Sequence, residues 1–136
     1  MILPERGVAV ASKYISKTLV YSPYHIGLCV TEKEFLQEIK KLKIVLPKDH
    51  LWLRTGASAR THEFYNESGD LLCLVCIRKP NKFTTAELAG ILAHEATHIW
   101  QFIKEELGER NPSVEFEAYS IGNITQGLLE RYKNAK

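Results

Sequence analysis

Three features of this sequence predict a single α+β domain. Two segments in its C-terminal half, one opening at Thr84 and one at Asn111, repeat apolar residues at the helical period. Upstream of them, ASARTHEFYNESGDLLCLVCIR sets two β-prone runs on either side of a glycine turn. The 136 residues, 45% hydrophobic and 25% charged, fit one globular domain over residues 1–136 with enough chain to bury a core.

In chain order, YHIGLCV (24–30) is apolar and β-prone and is predicted to be a short strand. Thr31 and Glu34 form a capping-box pattern that opens a helix with Phe35, Leu36, Ile39 and Leu42 on one side, ending before Pro47. LWLR (51–54) is a candidate strand. The runs around ESGD, with Gly69 in the turn, predict a β-hairpin that Pro80 and Asn81 terminate. Thr84 and Glu87 make a second capping box, and the helix it opens runs to Leu107 and stops at Gly108. Asn111 as N-cap and Pro112 at the first position predict the last helix, with Val114, Ala118, Ile121, Ile124, Thr125 and Leu128 on one face.

The same composition excludes several classes of function. A net charge of +2 without a basic stripe among aromatics argues against nucleic-acid binding. Lys40, Lys41 and Lys43 read as the solvated end of a helix. No apolar run approaches the ~18 residues a membrane span needs, and MILPERGVAVASKY lacks the pattern of a secretory leader. Three cysteines, Cys29, Cys73 and Cys76, suit reduced thiols and a cytoplasmic protein. Cys73 and Cys76 form a CxxC, but in a strand they point to opposite faces, so they are expected as buried small hydrophobes.

The residues that carry chemistry lie in the long helix, as His94-Glu95-Ala96-Thr97-His98. Positions i and i+4 share a helix face, so both imidazoles reach one ion, while Glu95, rotated by about 100°, stands beside it. Leu88, Leu92, Ala96, Ile99 and Ile103 form the core stripe, with Ile91 and Phe102 at its edge, which leaves the histidines half-covered on the flank. A catalytic zinc takes three protein ligands and keeps a fourth position open. The other histidines, His25, His50 and His62, all precede the motif. Glu117 falls within the apolar face of the last helix, where an ionised carboxylate is costly unless paired or metal-bound. The loop from Gly108 to Asn111 turns that helix back toward the histidines.

HEATH followed nineteen residues after His98 by Glu117-Ala118 resembles the gluzincin metallopeptidases, and the small size is similar to the minigluzincin type. HEATHIWQ with EFEAYSIGNITQ also resembles small phage-encoded zincin-like proteins. The likeness covers residues 84–130. It implies a zincin-like domain with a small antiparallel sheet, an HExxH active-site helix and a following glutamate-bearing helix. It further implies that His94, His98 and Glu117 bind Zn²⁺ and that Glu95 is the general base in hydrolysis of a peptide bond. The strand at residues 71–78 would lie beside the cleft.

The sequence departs from the larger gluzincins at Ile121, where an Asp often orients a zinc histidine; Asn123, Gln101 or a backbone carbonyl are the remaining candidates. The third histidine of the metzincins is absent. Tyr119, Tyr65, His62 and Arg60 are the candidate transition-state or substrate contacts. The expected function is thus a cytoplasmic zinc peptidase acting on a protein or peptide. The alternatives are a non-catalytic zincin-like domain, with structural zinc or a partner-binding cleft, and a metal-free helical scaffold.

Overall fold

The computed structural model describes residues 14–15 and 24–136. Its elements are β1 (Tyr24–Cys29), α1 (Glu32–Lys41), β2 (Ala59–Tyr65), β3 (Leu71–Ile77), α2 (Thr85–Leu107) and α3 (Val114–Asn134). The α+β class is as the sequence predicts. The expectation of a leader-free N-terminus rests on residues 1–14, almost all outside the described part.

The sheet has the order β1-β3-β2. β2 and β3 form the expected antiparallel hairpin, with Gly69 at φ 85° in its turn. β1, however, runs parallel to β3, pairing Tyr24 with Leu71 through Cys29 with Cys76. The sheet is therefore mixed, not antiparallel. Parallel neighbours need a crossover, and α1 together with the long segment after it carries the chain across one face before the hairpin begins.

Both faces of β3 are covered, which is why LLCLVCI is an unbroken apolar run with every residue buried. Cys73, Val75 and Ile77 face α2 and α3, against Leu92, Ala96, Ile99, Ile103, Ile124 and Leu128. Leu72, Leu74 and Cys76 face α1, against Phe35, Ile39, Trp52 and Leu53. The two CxxC thiols thus lie in separate cores, as strand alternation requires. Complete burial of each Leu or Ile contributes about 1.5–3 kcal/mol, so this strand is the keel of the domain.

Local signals hold with some shifts. Thr31 caps α1 by accepting from Glu34 N, but the Glu34 carboxylate reaches past Thr31 to Val30 N at 2.9 Å. LWLR is not a strand. Its Trp52 and Leu53 are buried in a loop whose carbonyls are met by side chains of β2, with Arg60 donating to Leu51 O at 2.6 Å and His62 to Trp52 O at 2.9 Å. α3 begins two residues later than expected, with Ser113 as N-cap accepting from Phe116 N. Its buried positions are Ser120, Ile124 and Leu128, while Val114 is 79% exposed. The apolar face is therefore rotated from the one the sequence suggests, because the first turn of α3 overhangs the core. No described helix is long and apolar enough to cross a membrane.

Candidate functional site

α2 positions the histidines through its cap and its buried stripe. Thr84 and Glu87 close a reciprocal capping box, at 2.8 and 3.0 Å, which fixes where the helix starts. Leu88, Leu92, Ala96, Ile99 and Ile103 then lock its rotation against the sheet. His94 is left exposed and His98 half-buried on the flank. Their Nε2 atoms lie 3.1 Å apart, with the rings edge to face. Two nitrogens on one tetrahedral zinc, each at about 2.0–2.1 Å, stand about 3.3 Å apart. The pair therefore converges at a spacing suited to one ion.

Gln101 settles which nitrogen of His98 is available. Its side-chain oxygen lies 3.2 Å from His98 Nδ1, so Nδ1 carries the proton and Nε2 keeps its lone pair. Among the three supporting candidates, Gln101 is the one brought to a histidine.

Glu95 turns inward from the pair, toward the sheet. It is 7% exposed, and Thr61 of β2 donates to its Oε1 at 2.6 Å. β2 is the sheet edge nearest α2, and between them runs a groove of about 610 Å³. Phe83, Ala86, Gly90 and Ile91 give the groove apolar walls, and His94 with Glu95 close one end. Of residues 71–78, which the resemblance places beside the cleft, Leu71–Ile77 are instead the central strand, paired on both sides. The edge position belongs to β2.

Glu117 lies against the other side of α2. Its Oε2 accepts from the Trp100 indole at 2.8 Å and from Lys104 Nζ at 3.5 Å. The Trp100 hydrogen bond, with Lys104 behind it, pulls the carboxyl below its ordinary range. On a helical projection Glu95 stands about 80° to one side of the histidine pair and Lys104 about 100° to the other. Glu95 is thus anchored to the sheet, whereas Glu117 is held to α2 itself through Trp100 and Lys104, and the structure does not bring it to the histidines. Among the described residues, no three His, Cys, Asp or Glu side chains are gathered as a ready metal cage.

The remaining candidates are dispersed. Arg60 and His62 alternate with Thr61 and so point to the α1 face of the sheet, where they bond the Leu51 and Trp52 carbonyls. Tyr65 donates to Glu106 near the end of α2, and that bond pushes its hydroxyl up to about 12. Tyr119 is 70% exposed on α3.

Sequence reasoning missed Thr61, Trp100 and Lys104. Only Trp100 carried a signal in advance, since a buried indole N–H needs an acceptor. No family model matches the chain, and no curated protein or solved structure matches it either.

Proposed function

We propose that this protein is a zinc-dependent peptidase, with His94, His98 and Glu117 holding the ion and Glu95 acting as general base. The observation that carries the reading is the convergence of the two Nε2 atoms at 3.1 Å beside a carboxylate that faces a groove. The donors fit zinc in kind, and the imidazoles fit it in spacing. Glu117 fits in kind but stands apart from the imidazoles, bonded through Oε2 to Trp100 and Lys104, so it would have to turn toward them to complete the set.

Bound there, zinc supplies a Lewis acid and a water of lowered pKa. The residues of the chain do the rest. Thr61 fixes one oxygen of Glu95, so the other is free to take a proton from water and return it to a leaving amine. The apolar walls of the groove seat a substrate side chain. The exposed edge of β2 offers backbone groups to an extended peptide.

Glu95→Gln is the direct test. The variant should bind zinc as the wild type does and lose hydrolysis of an unstructured protein such as casein. Wild-type protein without zinc, after purification free of chelators and with zinc supplied, sinks the reading. The engagement of Glu117 by Lys104 favours one second reading, a non-catalytic domain with structural zinc or a partner-binding cleft. In that case Glu95→Gln behaves as wild type in every assay, and any bound zinc, once removed, takes the fold with it.

A further inference from the structure

The cleft beside α2 continues past the histidines. Ala59, Thr61, Glu63 and Tyr65 alternate along β2 and face α2, as the pairing of Glu63 with Cys73, a residue of the α2-side core, requires. Ala59 lines the apolar groove, Thr61 bonds Glu95, and Tyr65 bonds Glu106. Strand and helix therefore run side by side in one direction. The groove lies at one end, His94, Glu95 and His98 in the middle, and the last turn of α2 at the other end.

That last turn is acidic. Glu105, Glu106 and, facing them from β2, Glu63 are all exposed. Partial desolvation first, and then the charges of Glu105 and Glu106, push the Glu63 carboxyl above its ordinary range. A helix C-terminus carries about half a negative charge of its own, so carboxylates in its last turn are unfavourable. Among the described residues no cation pairs with Glu63, Glu105 or Glu106, and the adjacent Lys104 reaches Glu117 instead. This uncompensated charge stands beside the outer edge of β2, which no described strand covers.

We infer that the β2 edge takes an extended peptide with an apolar side chain in the groove and a Lys or Arg four positions away, over Glu63, Glu105 and Glu106. Alternation puts both side chains on one face of the added strand, and four residues at about 3.3 Å each match the spacing of Ala59 and Glu63. The residue midway between them lies opposite Thr61 and is the one presented to Glu95. As a substrate class the inference rests on the peptidase reading; as a binding mode it stands on the groove, the edge and the charges alone.

The test is fluorescence anisotropy with short labelled Ser/Thr peptides, capped at both ends, that carry one Leu and one Lys four positions apart, in either order. One order should bind, and it gives the direction of the added strand. Glu in place of the peptide's Lys should weaken binding about tenfold at low salt, as a few screened charge pairs allow. The triple variant Glu63→Gln/Glu105→Gln/Glu106→Gln, which relieves repulsion and so keeps the fold, should bind the Lys peptide as weakly and no longer distinguish it from the Glu peptide. Gly90→Leu probes the groove, because a Cβ added there meets nothing within 4 Å and leucine is the better helix former. It should weaken the Leu peptide and leave the analogue with Ser in place of Leu unchanged. No binding of either order to the wild type, or binding indifferent to the peptide's Lys, overturns the inference.

Each titration is run with zinc supplied and again with EDTA. Peptide binding by a protein that takes up no zinc keeps the binding mode and removes the peptidase reading. Zinc uptake without peptide binding overturns the inference and leaves the zinc site standing.

Discussion

The molecule contains two histidine pairs, and they differ in almost everything except distance. His94 and His98 meet through Nε2 and Nε2 at 3.1 Å on the open flank of α2. His50 and His62 meet through Nε2 and Nδ1 at 2.9 Å under the opposite face of the sheet. His62 is 3% exposed, stacked between Phe35 and Phe64, and its Nε2–H is spent on Trp52 O. Its one lone pair is then occupied by the His50 N–H. Arg60 and Arg54 add positive charge nearby, Asp49 partly offsets it at His50, and among the described residues no carboxylate hydrogen-bonds either ring. The first pair meets on the open flank of α2, at the end of a groove and next to the buried Glu95. The second is a closed polar contact that stitches the loop at 50–52 to β2. Proximity of two imidazoles does not make a metal site; free lone pairs and compensating negative charge do.

The largest expected effect separates the pairs by ligand loss. His98→Ala should weaken zinc binding by more than the roughly 100-fold upper end for a supporting group. His62→Phe should leave zinc affinity unchanged. Titration against a chelator of known affinity checks both. If His62→Phe lowers zinc occupancy as far as His98→Ala does, metal binds through the sheet's other face.

Next in size is acid stability. Burial, against the pull of the Trp52 carbonyl, holds His62 at about 4, well below its ordinary 6.5. Burial and the Arg60 charge also hold His50 below its ordinary value. The unfolded chain therefore binds a proton at His62 that the folded chain refuses between about pH 6.5 and pH 4. Stability should be full above 6.5, fall as pH drops through that window, and level off below it. For His62 the loss amounts to about 3 kcal/mol. Urea unfolding at stepped pH should show this slope in wild type and a flatter one in His62→Phe. His62→Phe should itself be less stable at neutral pH by about 1–3 kcal/mol, since it leaves the Trp52 carbonyl without its donor.

How far each pair was legible in the sequence follows from what holds it. His94 and His98 are neighbours by helical period, and the capping box at Thr84 together with the stripe from Leu88 to Ile103 fixes that helix locally. The hairpin was legible for the same reason, through Gly69 and two β runs. His50 and His62 are brought together by the tertiary path of the 43–58 segment, which carries no periodic signal. The parallel pairing of β1 was hidden likewise, because strand direction is decided by the crossover and not by the composition of YHIGLC. Glu117 lies between these cases. Its unusual place among apolar residues was visible, but its bonds to Trp100 and Lys104 depend on the rotation of α3. That rotation is set by Ser113 capping and by burial of Ser120, Ile124 and Leu128.

The smallest expected effect refines the contrast from inside the first pair. His98 depends on Gln101 to hold its Nδ1 proton, as His62 depends on a backbone carbonyl, but Gln101 is exposed where the Trp52 contact is buried. A solvated hydrogen bond constrains a tautomer less than a buried one, because water readily takes over the acceptor's role. Gln101→Leu should therefore weaken zinc binding by about tenfold or less, the low end of the range for supporting groups. Gln101→Glu should strengthen it slightly, since a carboxylate facing Nδ1–H raises the basicity of Nε2. If Gln101→Leu costs as much as His98→Ala, His98 has no other restraint and the pair is less preorganised than its 3.1 Å separation implies. If neither Gln101 variant moves the affinity, the packing of α2 alone sets the imidazole, and the two pairs differ only in which lone pairs they leave open.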